Sequence, residues 1–240
     1  MIGSNGSSFR KLSRFLRLNS ADYIYFVGGL IDYEALRQDK SALVKVMQFL
    51  SLLTELKERY GTKIIGIQHD LSSLHTNLKP LLKNSIQFQE YSIMESTKRI
   101  LLVDYSIHHW LRSSLASWLS NSPGGIQFVY SMKSVFKKLA TTHRSRTNTN
   151  EAWIDSEEAT KIEKRLLHFS GRLGFDGLIT GLPITAEVSD YQGHRFLNAG
   201  FWCMDFSALS EDEHEEWSVI YYNESEQLDR PQAKQLDTNT

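Results

Sequence analysis

Hydrophobic positions in this chain follow two rhythms that take turns. Between Phe9 and Leu18, Leu12, Phe15 and Leu16 recur at three- and four-residue steps with Arg10, Lys11, Arg14 and Arg17 among them, the spacing of an amphipathic helix. Tyr23 to Val27 is β-branched and aromatic and closes on Gly28-Gly29, the pattern of a buried strand that ends in a tight turn. From Tyr33 to Tyr60 the residues Leu36, Leu43, Met47, Leu50 and Leu53 return to helical spacing, with Gly61 as the stop. Lys63 to Ile67 reads as a second strand, Leu71 to Leu82 as a helical segment ending near Pro80, and Arg99 to Val103 as a third strand with Asp104 at its end. Ile107 to Leu119 is helical, with Trp110, Leu111, Leu115 and Trp118 on one face, until Pro123-Gly-Gly breaks it. Ile126 to Tyr130 follows as a fourth strand and Val135 to Leu139 as a short helix.

Strands and helices that alternate with crossover-length connections predict βαβ units. The expected class is therefore α/β, with a mainly parallel sheet covered by helices on both faces. Thr141 to Asn150 is polar and without periodicity, and reads as a loop. A helix is expected over Ser156 to Gly171, with Ser156 as its cap, followed by an apolar stretch from Leu173 to Thr180. Arg195 to Phe206 and Glu216 to Tyr222 read as strands around the acidic segment Glu211 to Glu216, an antiparallel hairpin at the sheet edge. Residues 1–225 make one domain, and residues 226–240, with almost no apolar content, a polar disordered tail or linker stub.

Composition changes this picture little and charge changes it more. With 41% apolar and 23% charged residues the chain has the balance of a globular protein. No window reaches the roughly 18 apolar residues of a membrane span, and the start Met1-Ile-Gly-Ser-Asn-Gly-Ser-Ser lacks the apolar core of a secretory signal, so a cytoplasmic location is expected. The single cysteine, Cys203, excludes an internal disulfide; inside Phe201-Trp-Cys-Met it reads as a buried structural residue. The net charge of -1 conceals 20 Lys and Arg against 10 acids over residues 1–146, and 7 against 18 over residues 147–240. Such a split predicts an internal electrostatic match or a charged partner surface.

An α/β order invites a search for phosphate-binding loops, and Gly28-Gly29 after the first strand is the candidate. A Walker A loop ends in Gly-Lys-Ser/Thr, whose lysine meets the phosphates; no Gly-Lys pair occurs here, and Asp32 and Glu34 stand where the cation belongs. Leu101-Leu-Val-Asp104 has the form of a strand whose acid orients magnesium. The expectation is a degenerate NTPase-like core, RecA-like or P-loop-like, in which Gly28, Gly29 and Asp104 mark a vestigial nucleotide site. No metal set is apparent: His108 and His109 diverge by about 100° on a helix, and His69, Asp70 and His75 lack a matched partner. Lys133, Lys137, Lys138, His143, Arg144 and Arg146 form the densest basic segment, a possible nucleic-acid contact without the interleaved aromatic platform such sites use. No arginine has an aspartate three residues on, so the cyclic di-GMP motif of that form is missing, and no cofactor is expected.

Tyr191-Gln-Gly-His-Arg-Phe-Leu, Gly200-Phe-Trp-Cys and Trp217-Ser-Val-Ile, ahead of an acidic, proline-containing tail, resemble the N-terminal domain of the BcsE family of bacterial cellulose biosynthesis proteins. The order of elements over about residues 9–225 agrees, including Gly171-Arg-Leu-Gly-Phe. The resemblance implies a catalytically inactive, NTPase-like regulatory or scaffolding domain that forms homodimers and docks onto subunits of the BcsR and BcsQ type. It also implies recruitment to the inner face of the inner membrane through that secretion complex, without nucleic acid as a partner. Cyclic di-GMP binding belongs to later domains of that family and does not carry over. The alternatives are an NTPase-fold enzyme with an atypical nucleotide site near Gly28, Gly29 and Asp104, and a nucleic-acid-binding protein using Lys133 to Arg146.

Overall fold

A computed structural model describes residues 6–31, 40–68, 79–104, 107 and 156–222. In chain order these form α1 (Gly6–Leu18), β1 (Tyr23–Val27), α2 (Lys40–Tyr60), β2 (Lys63–Ile67), α3 (Lys79–Ser85), β3 (Gln87–Gln89), β4 (Tyr91–Glu95) and β5 (Arg99–Val103). After the break come α4 (Ser156–Arg172), β6 (Gly177–Thr180), β7 (Glu187–Tyr191), β8 (His194–Asn198), α5 (Trp202–Asp205), β9 (Ser207–Glu211) and β10 (Trp217–Tyr221). All but Ile107 of the expected helix at 107–119, the strand at 126–130, the short helix 135–139, the basic segment 133–146, the loop 141–150 and the tail 226–240 lie outside the described residues. So do Asp32, Glu34, His69, Asp70, His75, His108 and His109.

The α/β class and the parallel pairing hold. β1, β2 and β3 form a parallel sheet in that order, and β5, β6 and β8 run parallel within a second sheet ordered β4-β5-β6-β8-β7, whose outer strands β4 and β7 are antiparallel. The layering differs from expectation: β1 to β8 divide between two sheets that pack face to face, with β9 and β10 as a separate two-stranded sheet, instead of one sheet with helices on both sides. Alternation along each strand shows why. In β2, Ile64 turns to a cluster with Val46, Phe49 and Leu53 of α2 and Leu12, Phe15 and Leu16 of α1. Its neighbours Ile65 and Ile67 turn the other way, into a cluster with Ile100 and Leu102 of β5, Ile179 of β6 and Leu197 of β8. On the far side Leu101, Val103, Leu178 and Phe196 meet Ile162, Leu166 and Phe169 of α4. The order of layers is helix, sheet, sheet, helix. Strands buried on both faces give continuous apolar runs whether the second cover is a helix or another sheet, so the runs at β2 and β5 could not separate the two cases.

Local departures have local causes. Pro80 stands in the first turn of α3, where its missing N–H would have had no partner anyway, and the rest of the expected segment, residues 71–78, lies outside the described residues. The predicted strand from Arg195 to Phe206 is two elements, most of β8 and then α5, with β9 starting just beyond it. Gly200 at φ 73° turns the chain out of β8, α5 follows, and Phe206 at φ 52° turns it into β9. A Cβ at Gly200 would stand 2.7 Å from Ser207 Oγ and 2.8 Å from Asp205 Oδ2, so the turn requires glycine. Cys203, on this surface helix without buried residues, is only partly buried, where the sequence predicted a buried one. The C-terminal hairpin is present as β9 and β10, but it forms a two-stranded sheet of its own and not the edge of the larger sheet. Its Leu209 and Trp217 reach the core between the sheets, while Ala208, Ile220 and Tyr222 reach the α1–α2 core, so it closes one flank of the sandwich.

Candidate functional site

The carboxyl ends of β1, β5 and β6 converge where the two sheets meet. Gly28 leaves β1 with φ 94°, its N–H donates to the Ile67 carbonyl at 2.8 Å, and a Cβ there would lie 3.6 Å from Asp104 Oδ1. Gly181, past the end of β6, faces the Val27 carbonyl so closely that a Cβ would approach it to 2.8 Å. Gly28 and Asp104, 76 positions apart in sequence and on different sheets, are thus neighbours. Gly28 and Asp104 are buried, and Gly29 is exposed. Gly28 and Asp104 meet across the junction of the two sheets, and the segment 32–39 that follows Gly28-Gly29 lies outside the described residues.

Asn198 at the end of β8 is the functional-looking polar residue that the sequence reading missed. Fully buried, it accepts a hydrogen bond from Leu182 N at 2.8 Å and donates from Nδ2 to the carbonyls of Thr185 at 3.0 Å and Leu182 at 3.4 Å, fixing the 181–186 segment beside the strand ends. Its ladder partner Thr180 is also fully buried, and its hydroxyl has no partner among the described residues. A polar residue closing an otherwise apolar strand, as in Phe196-Leu-Asn198, is the signal that could have found it. Among the described residues no group of three or more His, Cys, Asp or Glu is placed to hold a metal.

A second polar surface sits at the opposite end of the strands. The tip of the β9–β10 hairpin docks on the β4–β5 turn: Glu215, at φ 62°, accepts from Thr97 N at 3.2 Å and from the Thr97 hydroxyl. Asp212 Oδ1 accepts from the backbone N–H groups of His214 and Glu216, both at 2.9 Å. These donors hold the Asp212 and Glu215 carboxyls below their ordinary range. Burial pushes Glu211 the other way; the Glu215 charge adds to the rise, and the Trp217 indole and Arg195 oppose it. Between tip and turn lies a recess of about 510 Å³ whose lining includes Thr97, Lys98, Arg195, Glu211, His214 and Trp217.

No family model and no curated protein matches this chain. Among solved structures it is similar to an archaeal phosphodiesterase, at 11% identity over 89% of this chain and 91% of that chain with a TM-score of 0.41. It is similar also to Vacuolar Protein Sorting 29 from Cryptosporidium parvum, at 18% identity over 81% of this chain and 64% of that one with a TM-score of 0.32. These findings correct the expectation of a catalytically inactive domain: one similar structure is an enzyme, and inactivity does not follow from a missing Walker A loop. At TM-scores this low the likeness assigns the chain no activity either. Among the described residues no helix is long and apolar enough to cross a membrane.

Proposed function

We propose that this chain is a regulatory docking domain of a bacterial cellulose secretion system, self-associating and engaging subunits of the BcsR and BcsQ type. The sequence resemblance around Gly200-Phe-Trp-Cys supplies the system, and the observation that carries the docking role is the acidic hairpin tip. Glu213, His214 and Glu216 are exposed on a tip whose backbone is already fixed by Asp212 and whose flank is tied to Thr97 by Glu215. A preformed surface loses little conformational freedom on binding, and its charge steers a basic partner. Size exclusion with light scattering, on the chain alone and mixed with BcsR and BcsQ, tests the reading. A homodimer or a co-eluting assembly is expected; a strict monomer that ignores both subunits overturns it.

A second reading rests on the junction of Gly28 with Asp104. It makes the strand ends a small-molecule site of an NTPase-fold protein, with the Asp104 carboxylate meeting a cation or a hydroxyl. A thermal shift with nucleotide and magnesium tests it, and no shift at saturating ligand removes it.

A further inference from the structure

The helical layer over the β1–β3 sheet carries an unbalanced charge together with exposed apolar side chains. The sequences of α1, α2 and α3 hold ten Lys or Arg against two acids, Glu55 and Glu58. Both acids lie toward the carboxyl end of α2, and Glu55 is tied to Arg17 at 3.6 Å. Leu18, Leu43, Val44, Met47 and Leu81 of the same three helices are each more than a third exposed, Val44 reaching 57%. α2 packs against both α1 and α3, so these residues belong to one continuous layer. Phe9 of α1, next to Arg10 in sequence, packs edge-on against Phe49 of α2, two residues past Met47. Arg10 and Arg14 are exposed and have no ion pair or hydrogen bond among the described residues.

We infer that the outer face of the α1–α2–α3 layer is a docking surface for an anionic lipid bilayer. Basic side chains interleaved with exposed aliphatic ones suit the interface, where cations meet lipid phosphates and aliphatic tips enter the acyl boundary. Binding leaves the fold intact, because Leu12, Phe15 and Leu16 of α1 are already committed to the core and the exposed residues alone make contact. A nucleic acid would match the cations but has nothing to cover Val44 and Met47. This surface lies on a different layer from the hairpin tip, so its test is independent of the docking role proposed above.

The test is flotation of the full chain with vesicles of phosphatidylcholine and phosphatidylglycerol in equal parts, and with phosphatidylcholine alone. Flotation with the anionic vesicles only is expected. The pair Arg10→Glu and Arg14→Glu should weaken it by roughly tenfold or more, at the usual strength of cation–bilayer attraction. Val44→Ser with Met47→Ser should weaken it at unchanged charge. All four positions are exposed, and an unchanged denaturation midpoint will show that the variants are folded. Absence from anionic vesicles overturns the inference. So does flotation that survives the arginine reversals, and so does a loss on arginine reversal that Val44→Ser and Met47→Ser do not share, which is the pattern of a purely ionic partner.

Discussion

Trp202 joins the first helix to the last third of the chain, and removing it should loosen that join by a calculable amount. Its indole Nε1 donates to the Ser8 carbonyl at 3.2 Å, and its ring packs 5.0 Å from Phe15 and 6.0 Å from Phe206. Trp202→Phe keeps most of the apolar contact and loses the hydrogen bond, which is worth about 1 kcal/mol net. Trp202→Ala also loses the ring. A fully buried tryptophan costs about 3–5 kcal/mol on truncation to alanine; Trp202 is only partly buried, so about 2–3 kcal/mol is the reasoned loss. Urea denaturation gives these differences directly, and limited proteolysis should show cleavage within residues 6–18 rising in the alanine variant first. If Trp202→Ala lies within about 0.5 kcal/mol of the parent, with α1 equally protected, the account of how α1 is held is wrong.

Other expectations follow from the same geometry. Asn198→Ala leaves the buried Leu182 N–H and carbonyl, and the part-buried Thr185 carbonyl, without their partner and should cost roughly 2–4 kcal/mol by urea denaturation, at 1–3 kcal/mol for each buried group left unpaired. Gly200→Ala meets both the close contacts of its Cβ and a positive φ, and should lower the melting temperature clearly, whereas Gly174→Ala, strained in φ but facing open space, should lower it less. Asp212 and Glu215 titrate below their unfolded values, so the stability they add is complete above the ordinary carboxyl range and lost as pH falls through their folded values; Glu211, shifted upward, has the opposite sign and costs stability as pH rises through its own window. Trp217 fluorescence followed against pH should therefore show the tip loosening on acidification, and Glu215→Gln should flatten that transition.

Much of the fold was legible because its signals are local. β1 and β2 fall at Tyr23–Val27 and Lys63–Ile67 as their apolar runs indicate, and α4 keeps its acidic first turn at Glu157 and Glu158. What the sequence hid is non-local. Whether Ile65 and Ile67 face a helix or another sheet depends on residues 33 or more positions away, Ile100, Leu102, Ile179 and Leu197, and either answer is written with the same side chains. β3 and β4 went unseen because their polar positions, in Gln87-Phe-Gln and Tyr91-Ser-Ile-Met-Glu, break any apolar run. β7, Glu187-Val-Ser-Asp-Tyr, is disguised in the same way by its exposed edge. At the candidate site Gly28 and Asp104 were legible singly, each by its place after a strand, but their adjacency belongs to the stacking of two sheets. Asn198 carried no motif; its importance lies in three hydrogen bonds that only the folded chain brings to it.

Everything said about the strand-end site depends on the two sheets lying face to face. Methyl-labelled protein and nuclear Overhauser contacts test this most directly, because Ile65 and Ile67 share one cluster with Ile100, Leu102, Ile179 and Leu197. The account predicts cross-peaks from the β2 isoleucine methyls to methyls of β5, β6 or β8. Cross-peaks from Ile65 and Ile67 to helix methyls alone would contradict it, restoring a single sheet covered on both faces and separating Gly28 from Asp104.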